Sequence, residues 1–310
     1  MPGLQQTSYG IDVGGSKIEL VAYDTALQPL WRKRIATPSE SFEAFCAALC
    51  GLVDEADAQL GQCAPLGIGL PGLADPQTGL QLSSNVPALR GQPAQTTLAA
   101  RLDRRIAFGN DCQCFALSEA HGGAAAGYRS MFGAILGTGA GGGFCREGRL
   151  NAGRQGVAGE WGHWSLPAKL ALRHELPVWL CGCGLMGCLE CYVSGRGMAR
   201  LYQHIAGSAA EPEAQVPRIV ALAESGDALA TRTLACYLDL LGYGLASLVL
   251  ALDPEVIVLG GGLSQLGLLY EALPAAIANH LFGAFKAPPI LPPLYGDAAG
   301  TRGAALLLAD

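Results

Sequence analysis

The stretch YGIDVGGSKIELVAYD, from Tyr9 to Asp24, decides the fold. Its apolar and β-branched residues run into a Gly-Gly-Ser turn and resume beyond it without helical spacing, so it reads as strand, turn, strand. A Walker loop needs a longer G-x-x-x-x-G-K-[ST] run that opens directly into a helix. Neither condition holds around Gly14, Gly15, Ser16 and Lys17. A hairpin turn that offers glycine amides to an anion is the alternative way to hold phosphate.

The same unit returns at MFGAILGTGAGGGFC, Met131 to Cys145, closely enough to suggest an internal duplication with two phosphate turns facing one another. A third turn follows the buried strand of EVIVLGGGLS, Glu255 to Ser264. Gly14, Gly15, Gly137, Gly139, Gly141, Gly142 and Gly143 can take positive φ at little cost and let backbone N–H groups approach phosphate without a β-carbon in the way. Either turn alone reads equally well as plain hairpin closure. Together with the third they point to a nucleotide. Asp12 stands just ahead of the first turn, where a carboxylate would repel phosphates unless Mg²⁺ or its water stood between them.

Between these units, Phe42, Phe45, Leu49, Leu52, Val53, Ala56 and Leu60 keep the three- and four-residue steps of an amphipathic helix. PLGIGLPG, Pro65 to Gly72, is a buried strand, and IAFGNDC, Ile106 to Cys112, is another that ends on polar residues. Open α/β sheets place ligand groups at such strand ends, which makes Asn110 and Asp111 candidates. Leu234, Leu238, Leu241, Leu245, Leu248 and Leu252 predict a long helix. PPILPPL, Pro288 to Leu294, has no regular pattern and reads as a return linker. The fold class is α/β, in two lobes around a cleft: residues 1–114 with 295–310, and 115–294.

Half of the 310 residues are apolar, 15% are charged and 43 are glycine, which suits a compact protein with many tight turns. The net charge of -6 has no basic run, so a nucleic-acid partner is not expected and a small molecule is. Met1 to Gly10 lacks a secretory pattern. The apolar stretch Tyr243 to Leu259 is broken by Asp253 and Pro254, so no membrane span is expected there. The expectation is a soluble cytoplasmic protein.

The eleven cysteines should then be reduced. Cys46, Cys50, Cys63, Cys145 and Cys236 sit singly among apolar residues as packing groups. Cys181, Cys183 and Cys188 differ, because three thiols within eight residues, with His163 ahead of them, supply the soft ligands of a tetrahedral Zn²⁺. Gly182, Gly184 and Gly187 suit a tight knuckle. Cys191 offers a competing set of four cysteines. With four protein ligands the metal would be structural, having no open position for water.

IDVGGSK, NDCQCFALSEA, ILGTGAGGG, GEWGH, CGCGLMGCLE and VLGGGLS, in that order, resemble the bacterial ROK family of sugar kinases and related repressors nearly end to end. The resemblance implies an actin-like ATPase fold (ribonuclease H-like), usually as a homodimer, that transfers phosphate from ATP with Mg²⁺ to a sugar. LYQH at Leu201 to His204, YLDLL at Tyr237 to Leu241 and GDAAGTRGAA at Gly296 to Ala305 look most like the members that phosphorylate the 6-hydroxyl of N-acetylglucosamine. Fructose, glucose and N-acetylmannosamine are the near alternatives, and a non-catalytic sugar-binding regulator is a more distant one.

By the same resemblance Asp111 is the general base. Gly72, Asn85, Asn110, Glu160, His163 and Glu190 touch the sugar, and His163 rather than Cys191 completes the zinc set. Gly14, Gly15, Ser16, Lys17, Gly137, Thr138, Gly139, Gly141 and Gly142 meet the phosphates with Asp12, and Gly261, Gly262 and Leu263 meet the adenosine. Two positions depart from the family pattern: Gln113, where Asn is common, and Ser16 in place of Thr. The repressors carry a DNA-binding segment ahead of the kinase-like part, which is not expected here with the first turn 13 residues into the chain.

Overall fold

The computed structural model describes residues 3–82, 86–207 and 215–309. By their internal contacts they form two compact units, Met1–Arg129 with Gly143–Ala158 and Leu294–Asp310, and Ser130–Gly142 with Gly159–Pro293.

In the first unit β1 (Ser8–Val13) and β2 (Lys17–Tyr23) make the expected antiparallel hairpin, with Asp12 opposite Glu19. β3 (Pro29–Ala36) adds to β2, and its alternating exposure puts Arg32 and Arg34 on Glu19, so the sheet edge carries charge rather than apolar surface. α1 (Phe42–Leu60) starts where Ser41 accepts from the Ala44 amide at 3.2 Å and stops at Gly61, whose φ of 63° is left-handed. Its Phe45, Leu49, Leu52 and Val53 face enters the core with Ile11, Ile18 and Leu20.

β4 (Leu66–Leu70) runs parallel to β1. A small ribbon, β5 (Leu73–Ala74) with β6 (Gln81–Leu82), and the helix α2 (Ala94–Leu102) lead to β7 (Ile106–Asn110), which is parallel to β4. The sheet order is β3-β2-β1-β4-β7. α3 (Asp111–Ala120) begins at the last residue of β7 without a loop.

The second unit is built on β8 (Ser130–Leu136), which turns into β9 (Ala140–Arg146). β9 passes into the first unit after Gly142 and pairs there with β10 (Arg149–Leu150). The helices α4 (Ala168–Arg173), α5 (Glu190–Val193), α6 (Gly195–Ala206), α7 (Val216–Glu224) and α8 (Ala228–Leu252) precede β11 (Val256–Gly260), which is parallel to β8. The leucine-rich α8 is long and apolar enough to cross a membrane, yet half of that stretch is buried, with α6, α7 and α9 (Gly267–Ala278) packed against it. Of its expected face Leu241, Leu245 and Leu248 are buried and Leu252 is exposed.

Pro288 to Leu294 is not plain linker. Ile290 and Leu291 form β12 (Ile290–Leu291), parallel to β11, and Ile257 donates to the Pro289 carbonyl at 3.0 Å. At a sheet edge flanking prolines are tolerated because their missing N–H groups face no partner strand. The chain then closes the first unit with α10 (Ala299–Leu306), which lies on β1, β4 and α3, where Thr301 and the Tyr23 hydroxyl meet at 2.8 Å.

Candidate active site

Three neighbouring parallel strands of the first unit deliver the candidate residues at their carboxyl ends. Asp12 lies near the end of β1 opposite Gly69, Gly72 just beyond β4, and Asn110 at the end of β7 opposite Leu70. This is the end at which open α/β sheets hold ligands. The adjoining glycine turn is closed by Gly14, whose amide donates to the Lys17 carbonyl at 2.8 Å. Thr37 fixes it further, donating from its hydroxyl to Gly14 O at 2.8 Å and from its amide to Ser16 O at 3.1 Å. Gly15 and Ser16 are left at the surface.

Asn110 caps α3, accepting from the Cys112 amide at 2.8 Å, and gives its side-chain N–H to the Gly72 carbonyl at 3.0 Å. Gln113 completes a capping box: its Oε1 accepts from the Asn110 amide at 3.3 Å, while its Nε2 donates to the Gly156 carbonyl at 2.9 Å. Strand end, helix start and the loop leading to the GEWGH motif are thus tied around Asp111. Burial pushes the Asp111 carboxyl above the usual range, against the opposing help of the Cys112 amide at 3.0 Å. A carboxylate held at a helix start with a raised pKa suits a general base.

In the second unit, two glycine turns meet at the ends of β8 and β11. Gly261 has φ of 77°, and a β-carbon on it would come within 2.4 Å of the Leu136 carbonyl oxygen, so only glycine lets the two turns approach. Gly137 accepts from the Gly195 amide at 2.8 Å, and Leu263 is buried beneath the third turn. The freedom to take positive φ is not used at Gly14, Gly15, Gly137, Gly139, Gly141, Gly142 or Gly143. Gly142 and Gly143 lie within β9, and Gly14, Gly137 and Gly139 lie in the turns that join the strands. Close approach limits several of them instead: a β-carbon on Gly142 would lie 2.5 Å from Gly133 O, and one on Gly139 2.8 Å from the Glu190 carboxylate.

Glu160, His163 and Glu190 gather near the knuckle. His163 Nε2 stands 3.6 Å from Glu160, and its Nδ1 lies 3.8 Å from the Cys181 sulfur and 3.9 Å from Glu190. Trp161, fully buried between them in sequence, donates its indole N–H to Gly141 O at 2.8 Å and so anchors the motif to β9. The ligand atoms of His163, Cys181, Cys183 and Cys188 all lie within 4.8 Å of one another, with Cys183 and Cys188 sulfurs 3.6 Å apart. Tetrahedral zinc with Zn–S near 2.3 Å needs sulfurs about 3.8 Å apart, so the donor set fits. The Cys191 thiol lies 3.9 Å from the Leu180 carbonyl and also neighbours Cys181. Burial pushes the Cys181 thiol up, and the Cys188 thiol up to about 11, so a cation is what would favour their thiolates.

Asn85 lies outside the described residues. Three features had no signal in the sequence pattern. Cys114 is buried close to both Asp12 and Asp111, whose charges help to push its thiol up beyond the effect of burial. Glu119 is fully buried and accepts from the amides of Ala124, Leu294 and Tyr295 at 2.8, 3.0 and 3.1 Å. Arg302 caps the end of α3 by donating to the Ser118 carbonyl at 2.7 Å and to the His121 carbonyl. Their decisive partners, Asp12 for Cys114, Leu294 and Tyr295 for Glu119 and the end of α3 for Arg302, are distant in sequence, so spacing could not reveal them.

A glycine hairpin turn and a carboxylate at a capped helix start, in a sheet of this order, are the arrangement of the actin-like ATPase fold. The fold is similar to that of a ROK hexokinase from Thermus thermophilus, with 33% identity, a TM-score of 0.85 and 97% of each chain covered. It is also similar to a ROK family glucokinase from Streptomyces griseus solved with glucose and AMPPNP, with 29% identity, a TM-score of 0.75 and coverage of 97% and 98%.

The chain belongs to the ROK family, whose model matches residues 8–310, and it is an ATP-dependent hexose kinase. Over 301 residues it is 48% identical to the N-acetylgalactosamine kinase AgaK of Shewanella sp. strain ANA-3, covering 96% of each chain. It is 42% identical, also over 301 residues, to an N-acetyl-D-glucosamine kinase of Salmonella newport strain SL254, covering 96% and 98%.

Proposed function

We propose that the protein phosphorylates the 6-hydroxyl of a 2-acetamido hexose, with N-acetylglucosamine as the first reading. The observation that carries it is full-length similarity to kinases named for N-acetylated hexosamines. The 48% identity to the enzyme named for N-acetylgalactosamine favours that sugar as the second reading. The two sugars differ only at C4, so the 2-acetamido group would be recognised alike.

In this mechanism Asp111 removes the proton of the sugar hydroxyl as it attacks the γ-phosphate, and its raised pKa brings base strength closer to neutral pH. Asn110, Gly72, Glu160, His163 and Glu190 hold the sugar, Asn110 through atoms not already engaged in the cap. Gly14, Gly15, Ser16, Lys17, Gly137, Thr138, Gly139, Gly141 and Gly142 cradle the phosphates, and Gly261, Gly262 and Leu263 the adenosine. Asp12 would face Mg²⁺, which when bound would supply neutralisation of charge on the transferred phosphoryl group. His163, Cys181, Cys183 and Cys188 would hold zinc, which cross-links the loop and leaves no position open for water. The protein acts as a cytoplasmic homodimer without nucleic-acid or membrane partners.

The test is a comparison of kcat/KM over N-acetylglucosamine, N-acetylgalactosamine, N-acetylmannosamine, glucose and fructose with MgATP. A preference for N-acetylglucosamine supports the first reading, and one for N-acetylgalactosamine the second. Higher values for glucose or fructose would sink both. Light scattering of the purified protein tests the dimer.

A further inference from the structure

Gly300, in the first turn of α10, stands against Asp12. A β-carbon at Gly300 would lie 2.5 Å from Asp12 Cγ and 2.6 and 2.8 Å from its two carboxylate oxygens. Non-bonded heavy atoms settle near 3.5 Å or more, so the carboxylate occupies space that any other residue would fill. Cγ is one bond from the Asp12 β-carbon, and it can escape such a contact only by a change of χ1 that swings both oxygens away. The backbone of Gly300 is outside the left-handed range, so no conformational requirement explains a glycine here. Helix propensity argues against one.

One turn further on, a β-carbon at Gly303 would lie 1.7 Å from the carbonyl oxygen of Cys114, in the first turn of the helix that begins at Asp111. α10 therefore packs without a β-carbon against the Asp12 carboxylate at Gly300 and against the backbone of α3 at Gly303.

We propose that Gly300 is a positioning residue whose missing side chain reserves the place in which the Asp12 carboxylate meets magnesium. The inference rests on the reading of Asp12 as the metal-facing carboxylate. The test is Gly300→Ala, assayed with ATP and the N-acetylhexosamine turned over fastest. The expected result is about a hundredfold loss of kcat, the scale of an ångström misplacement of a reacting group. It should come with a clear rise in the Mg²⁺ needed for half-maximal rate, unchanged sugar affinity by calorimetry and no fall in Tm. A lower Tm with weakened sugar binding, or kinetics within about twofold of wild type, overturns it.

Two further variants separate this proposal from the reading beneath it. Asp12→Asn with wild-type Mg²⁺ dependence overturns the role of Asp12 itself. In the double variant, losses no worse than those of Asp12→Asn alone show that Gly300 acts through Asp12, whereas additive losses show that it does not.

Discussion

The Cys181 thiol donates to Glu190 Oε1 at 2.9 Å, while the other oxygen of the same carboxylate lies 3.3 Å from the Ala140 amide. One side chain thus joins the knuckle to the second glycine turn, so the loop that would hold metal and the turn that would hold phosphate are mechanically coupled through Glu190.

Glu190→Gln keeps the shape and removes the charge. If Glu190 also accepts from the sugar, the loss of a charged hydrogen bond, about 1.5–3 kcal/mol, raises the sugar KM about tenfold to a hundredfold. Steady-state kinetics decide the point, and an unchanged KM removes Glu190 from the sugar contacts.

Purified protein should carry ~1 zinc per chain by elemental analysis, the stoichiometry of a four-ligand site. Cys183→Ala should lower that content to near zero and lower Tm, because binding to the folded state alone stabilises it. Cys191→Ala should retain the metal. Zinc lost from the Cys191 variant and kept in the Cys183 variant would reverse the ligand assignment.

Asp111→Asn should reduce kcat by about 10²–10⁴, the usual contribution of a general base, with sugar binding retained. Burial raises the Asp111 pKa in the folded state, so its ionisation opposes folding: stability tied to this group is present at low pH and lost as pH rises through the folded pKa. The Asn variant should therefore be more stable than wild type at pH 7. In wild type kcat should fall as pH drops, beginning above the ordinary carboxylate range. A thermal melt and a pH–rate profile test the two signs separately.

Gln113→Ala removes both the N3 half of the capping box and the tie to Gly156. About 1–2 kcal/mol of stability should be lost, and chemical denaturation measures it. Gln113→Asn, one methylene shorter, should keep the cap and lose the Gly156 bond, showing whether that loop contact affects the sugar KM.

In the second unit Asp239 accepts from His174 at 2.7 Å, His280 at 2.8 Å and Arg173 at 3.0 Å. Burial alone would raise its pKa, but these donors outweigh it and hold the carboxyl below its usual range. The stability it contributes is present above the unfolded value of about 3.9 and disappears as pH falls through the lower folded value. Asp239→Asn should cost roughly 2 kcal/mol at pH 7 and have progressively less effect in acid. Melts at pH 7 and below pH 4 compare the two.

Much of the fold was legible because its signals are local. Hairpin, capped helix and buried strand each follow from the spacing of a few neighbouring residues, as in Tyr9 to Asp24, Phe42 to Leu60 and Val256 to Gly260. The short strand at Ile290 was hidden by its prolines, since its pairing depends on β11 lying beside it. The three thiols of the knuckle were legible from spacing, whereas the convergence of His163 on them depends on the fold.

The sequence by itself determined an α/β chain with glycine turns, a candidate base at Asp111 and a cysteine knuckle, because glycine, carboxylate and thiol at fixed short spacings carry their chemistry with them. Tertiary structure alone decided that Gln113 reaches Gly156, that Glu190 joins knuckle to turn and that Asp12 rests on Gly300. Apart from the nine positions between Cys181 and Glu190, those contacts link residues from tens to hundreds of positions apart, and chain folding, not residue spacing, sets the distances between them.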